Sequence, residues 1–267
     1  MPDRSAMKFP VCALACALLL AGCNPGPIVD TPRPAPPAGP ASGPVLTLDP
    51  STASTLSGTV SLDGPPPAPR RIDMSAEPSC QQMHPQPANF PDVVTGPNGA
   101  LANVVIYIRS GLGNYHFEVP ADSVLLDQKG CLYQPQIVAL IAGQRLEIRN
   151  SDATVHNIHS MARRNPSWNK SQPEGTTVFE TFPHPELAIP LVCNVHPWMR
   201  SFAFVFDNPY FAVTPTSGKF SLPNLPPGTY TIEAWHQRYG VLDQSVTISP
   251  HSSATISFVF HSTPASP

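Results

Sequence analysis

The sequence predicts an all-β protein made of packed β-sandwiches, and three observations carry that reading. Short runs rich in Val, Ile, Phe and Tyr recur between turns containing Gly and Pro, the pattern of many short strands. Proline reaches 36 of 267 residues, and a residue without a backbone N–H belongs in loops, extended linkers and edge strands rather than helices. Beyond the N-terminal stretch, no long segment places apolar residues at helical spacing. The hydrophobic share of 41% is enough for a core. Only 12% of residues are charged, the net charge is -3, and no basic run occurs. The electrostatic footprint of a nucleic-acid partner is therefore lacking.

Arg4 and Lys8 precede an apolar stretch over residues 11–22 that is too short for a comfortable membrane span. It ends in Leu20-Ala21-Gly22-Cys23, which resembles the lipobox of bacterial lipoproteins. The resemblance implies a signal peptide over 1–22 and a mature chain that starts at an acylated Cys23, its membrane anchor. Asn24, rather than Asp, at the next position implies the outer membrane, facing the periplasm. Residues 23–55 are mostly Pro, Ala, Gly and Thr and read as a tether. At ~3.1 Å per residue, a Pro-rich segment of this kind holds the folded part off the membrane.

Strands follow. Residues 56–62 alternate and run into Asp63-Gly64, a turn signal. Residues 103–109 are rich in Val and Ile. Residues 137–141 lead through Ala142-Gly143 into 145–149, and 177–182 form a further run. Residues 187–193 and 201–206 flank a short loop. Four more runs close the chain, at 219–222, 229–235, 245–248 and 254–260.

The loop reads Cys193-Asn194-Val195-His196-Pro197-Trp198-Met199. Thiolate, imidazole and thioether thus fall at three-residue steps, and these are ligands for a soft or borderline metal. Two imidazoles, one thiolate and a weak axial thioether make the blue-copper arrangement, which needs one more His. Asn150, five residues, then His156-Asn157 supplies it after a Gly-bounded strand pair. Together these segments resemble the plastocyanin/amicyanin group of cupredoxins, with the Cys-to-Met loop as short as in amicyanin. The resemblance implies a cupredoxin Greek-key β-sandwich holding one type 1 copper ion. His156, Cys193 and His196 are its equatorial ligands and Met199 its axial ligand. It also puts Asn157 behind the ligands, tying their two loops together by hydrogen bonds. Zinc is the competing metal, because it too accepts imidazole and thiolate. His159 lies three residues after His156, on the opposite face of an alternating strand, and is not expected to ligate unless the chain turns there.

Cysteine arithmetic agrees with this. With Cys12 and Cys16 in the signal and Cys23 acylated, Cys80, Cys131 and Cys193 remain. An exported chain meets an oxidising compartment, so Cys80 and Cys131 are expected to pair, leaving Cys193 for metal. Cys80 with His84 makes only half a second metal site. Trp198 is expected either to form an apolar docking patch or to shield the metal from water.

Residues 217–231 contain Gly218-Lys219-Phe220 and Leu225-Pro226-Pro227-Gly228-Thr229-Tyr230. This stretch resembles the carboxypeptidase-regulatory-like family, a transthyretin-like β-sandwich with a structural or adhesive role. The expected layout is a copper domain over 56–210 and a carboxypeptidase-regulatory-like module over 211–262. Residues 56–110 belong either to the former or to the latter, in which case the copper module is inserted into the second sandwich. The leading function is a one-electron carrier with an unidentified redox protein partner. A copper-binding or copper-delivery lipoprotein without a redox partner, and a surface interaction module with a structural metal, are the alternatives. An enzyme is not expected, since a copper reductase needs a second catalytic metal site.

Overall fold

The computed structural model describes residues 34 and 46–262, and the expected signal over 1–22 and the acylated Cys23 lie outside them. The first strand, β1 (Ser54–Asp63), begins two residues inside the expected tether. Asp49 caps the turn just before it, its carboxylate accepting the Ser51 N–H at 2.9 Å. After β1 comes a long excursion holding only short helical turns, among them α1 (Pro78–Gln82), before β2 (Val105–Ser110). The middle of the chain supplies β3 (Val124–Gln128), β4 (Tyr133–Gln134), β5 (Ile137–Ile141), β6 (Arg145–Asn150), β7 (His156–Ser160), β8 (Trp168–Gln172), β9 (Thr177–Thr181), β10 (Glu186–Val192) and β11 (Arg200–Phe206). The C-terminal part supplies β12 (Phe211–Val213), β13 (Lys219–Leu225), β14 (Gly228–His236), β15 (Gly240–Ile248) and β16 (Ser253–His261).

Among the described residues these strands make four sheets, ordered β5-β11-β10-β7-β8, β4-β3-β6-β9, β13-β1-β16 and β12-β2-β14-β15. The first two enclose one core, with Leu126, Leu140, Ile148, Ile158, Leu191 and Val205 at its centre. The other two enclose a second core around Leu56, Ile106, Leu222, Ile232 and Phe258. The molecule is thus nearly all β, consistent with the cupredoxin-like sandwich expected.

The expected layout left residues 56–110 to either module, and the sheet pairings bear on that choice. β1 runs parallel to β16, from Thr55 opposite Ser253 to Asp63 opposite His261, and antiparallel to β13. β2 lies between β12 and β14. Residues 54–63 and 105–110 therefore share sheets with strands after residue 211, and the sandwich of β3–β11 is inserted between them. The physical reason is edge satisfaction. The C-terminal strands alone leave a sheet with open edges, and β1 and β2 supply the central pairings.

Period-two alternation explains how the sandwiches join. In β2, Ile106 and Ile108 face the second core, while Val105 and Tyr107 face the other way. There they meet Ile137 of β5, Phe204 and Phe206 of β11, and Trp235 of β14. Phe204 and Trp235 lie 4.8 Å apart, centroid to centroid. Burying each large apolar side chain stabilises by about 1.5–3 kcal/mol, so this seam holds both sandwiches in one compact unit.

Candidate metal centre

Two strand ends create the site. β7 opens on His156 and alternates buried and half-buried residues, so His156, Ile158 and Ser160 point inward. β10 pairs antiparallel with β7, Val192 opposite His159. The loop leaving β10 at Cys193 is thereby carried toward the start of β7. The loop closes on itself: Cys193 N–H donates to Met199 carbonyl at 3.1 Å, and Met199 N–H to His196 carbonyl at 2.9 Å. β11 then leaves from Arg200.

Within this frame His156, Cys193 and His196 converge, each offering a ligand atom within 4.8 Å of the others. The two rings turn the same nitrogen inward, Nδ1 of His156 lying 2.9 Å from Nδ1 of His196. Cys193 Sγ is 4.0 Å from His196 Nδ1 and accepts the His196 backbone N–H at 3.3 Å. His156 is 0% and His196 1% exposed. Met199 is fully buried in the same core as Cys193. Among the described residues Cys193 is the free cysteine, and Cys80 and Cys131 form a disulfide.

Asp152, which the sequence motif does not contain, organises one ring. Its carboxylate accepts the Gly130 and Cys131 N–H groups at 2.6 and 2.7 Å and meets His156 Nε2 at 2.8 Å. A carboxylate on Nε2 places the proton there, which leaves the Nδ1 lone pair for a metal. Burial raises the Asp152 carboxyl, but the His156 contact and the two N–H donors outweigh it and hold it below the usual carboxylate range. Burial pushes the His156 ring down, yet Asp152 and Cys193 outweigh that and raise it. His196 is lowered by burial and by the charge of His156. Burial pushes the Cys193 thiol up, but the hydrogen bond with His156 and the N–H groups of His196 and Val195 hold it below an ordinary thiol.

The surrounding residues brace both loops. Asn157 Oδ1 accepts the Asn194 N–H at 3.2 Å, while its Nδ2 donates to Asn169 Oδ1 and the Lys170 carbonyl. Tyr133 hydroxyl donates to the Asn157 carbonyl. Trp198 is half-buried and donates from Nε1 to the Cys131 carbonyl at 2.9 Å, its ring 5.1 Å from that of His196. His159 is half-buried on the other face of β7, opposite Asn169 of β8. His84 does not join Cys80 in a second site: Cys80 is in the disulfide, and His84 Nε2 contacts the Gly130 carbonyl at 2.6 Å. On its outer side, His196 Nε2 faces Cys80 Sγ at 3.6 Å and Glu77 Oε2 at 4.0 Å. The only hint of these neighbours in the sequence is an Asp four residues before the first His, in a polar turn. Glu77 and Cys80 arrive from the distant excursion and carry no such signal.

The donors present fit a copper ion: a thiol poised toward thiolate and two imidazoles with like nitrogens turned together, all three buried. The family model that matches the chain, over residues 187–256, is "Polysaccharide lyase family 4, domain II" and not the carboxypeptidase-regulatory-like family expected. The match spans strands of both sandwiches, from β10 to β16. No curated relative matches. Among solved structures, the chain is similar to amicyanin from Paracoccus versutus at 20% identity, covering 38% of this chain and 97% of that one, TM-score 0.30. It is also similar to a purple cupredoxin from Nitrosopumilus maritimus at 18% identity, covering 33% of this chain and all of that one, TM-score 0.28. A copper-containing nitrite reductase from Thermus scotoductus SA-01 matches at 18% identity and TM-score 0.30, over 39% of this chain and only 26% of the reductase's length.

Proposed function

We propose that this protein is a type 1 copper protein, and that it acts as a one-electron carrier held to a bacterial outer membrane by lipid on Cys23. The observation that carries the reading is the buried convergence of Cys193 Sγ with the Nδ1 atoms of His156 and His196. Bound there, copper supplies a Cu(II)/Cu(I) couple that interchanges with little ligand movement. The chain's own residues do the rest. Asp152 orients His156, the N–H of His196 stabilises the Cys193 sulfur, and Met199, buried in the same core as Cys193, is the axial ligand that the family resemblance implies. The partner is a redox protein, and no reaction is assigned to the chain itself.

One observation favours a second reading, copper binding or delivery without a redox partner. His196 is 1% exposed, with Glu77 and Cys80 across its outer nitrogen. An imidazole so covered offers a docked partner no bare edge. Absorption spectroscopy and voltammetry on the full chain separate the readings. A carrier shows an intense visible sulfur-to-copper band with Cu(II) that bleaches and returns reversibly with one electron. Cys193→Ser abolishes the band and leaves the far-ultraviolet strand signal. Copper that binds but exchanges electrons irreversibly favours delivery, and a colourless protein that takes only zinc excludes both.

A further inference from the structure

The His196 ring stands between two sets of sulfur. Nδ1 faces Cys193 Sγ at 4.0 Å, and Nε2 faces Cys80 Sγ at 3.6 Å. Cys80, Cys131 and His196 are all buried, and their ligand atoms lie within 4.8 Å of one another. The cysteines come from opposite sides. Cys80 lies on α1, in the excursion between β1 and β2, and Cys131 in the loop between β3 and β4. That loop is held independently of the disulfide, through the Gly130 and Cys131 N–H groups on Asp152, the Trp198 indole on the Cys131 carbonyl and His84 on the Gly130 carbonyl. The α1 side has its own ties, since His84 just after α1 reaches the Gly130 carbonyl and Ile72 and Met74 before it are buried in the core that holds Cys131 and Cys193. Opening the sulfur–sulfur bond therefore leaves both thiols beside an imidazole nitrogen.

We infer that Cys80, Cys131 and His196 Nε2 form a second, thiol-gated site for a soft monovalent cation, Cu(I), open only when the disulfide is reduced. A dithiol reductant supplies two electrons and two protons. The Cys80–Cys131 bond breaks, two thiols form, and the reductant leaves as its own disulfide. Cu(I) then binds two sulfurs and one imidazole nitrogen, and the thiol protons pass to solvent. A neutral imidazole has one free lone pair, so the two sites compete for His196. The inference needs no metal at Cys193, and its test removes that site, so its failure and the failure of the carrier reading are distinct results.

The test uses full-length Cys193→Ser, kept anaerobic, with Cu(I) titrated against a chromophoric chelator. Oxidised Cys193→Ser is expected to take no Cu(I) from the chelator. After reduction by a dithiol and removal of the reductant, it is expected to take one equivalent. Cys193→Ser with Cys80→Ser loses that uptake, and Cys193→Ser with His196→Ala weakens it. X-ray absorption of the loaded variant is expected to show two sulfurs and at least one imidazole. No uptake after reduction overturns the inference. So does uptake of equal affinity without His196, which is a bare dithiol and not this site. Loss of the strand circular dichroism on reduction also overturns it, because the site requires the fold to hold both thiols beside the ring.

Discussion

Asp152 and His159 show how much a single position decides. His156 and His159 sit three residues apart on β7, yet one ring is fully buried against Cys193 and His196 and the other is half-buried on the far face. His156→Ala is expected to abolish or strongly distort the visible charge-transfer band of the copper-loaded protein, because an equatorial ligand is lost. His159→Ala is expected to keep it. Side-by-side spectra check this, and bleaching by His159→Ala alone contradicts the ligand set. Asp152→Ala removes the group that fixes the proton on His156 Nε2. Loss of such an outer partner costs ~10–100-fold in metal affinity, to be read by chelator competition while the protein remains folded. At this scale the candidate donor types and their spacing were legible, since Cys, His and Met fall in one loop and His156 follows Asn150 at a fixed distance. Asp152, Glu77 and the outer contact of His196 were not legible, because the loops that bring them in are placed by tertiary pairing rather than by local pattern.

The strands were legible as elements because alternation and Gly/Pro punctuation are local. Their partners were not. β1 reads as an isolated alternating run, yet it lies between β13 and β16, whose residues follow it by more than half the chain. Gly58 shows what that position demands. It sits opposite Phe220 on one side and Ile256 on the other. An added Cβ would lie 2.0 Å from the Ile256 carbonyl oxygen and 2.6 Å from the Phe220 ring. The carbonyl is backbone and cannot swing aside. Gly58→Ala is therefore expected to destabilise by about 1–3 kcal/mol, the usual cost of overpacking. A denaturant midpoint measures it. The visible band should keep its position, because Gly58 packs against the second core and not the one that holds Cys193 and Met199.

On the scale of the whole molecule, one sandwich interrupts another. The inserted β3–β11 sandwich carries the candidate donors His156, Cys193 and His196. The outer sandwich, closed by β1 and β2, contributes the excursion that reaches back over His196. A shared seam of Tyr107, Phe204, Phe206 and Trp235 fixes the two together. The sequence left residues 56–110 open between the two modules, because an insertion is visible only when the strands on either side of it are seen to pair. The covered outer nitrogen of His196 and the inward Nδ1 pair follow from the same arrangement, and both bear on which sulfur holds the metal. X-ray absorption fine structure on the oxidised, copper-loaded full chain tests this most directly. The account predicts one short copper–sulfur bond, from Cys193, and two imidazole nitrogens, with the sulfur lost in Cys193→Ser. A copper shell of nitrogen and oxygen alone, or one unchanged by Cys193→Ser, would contradict it.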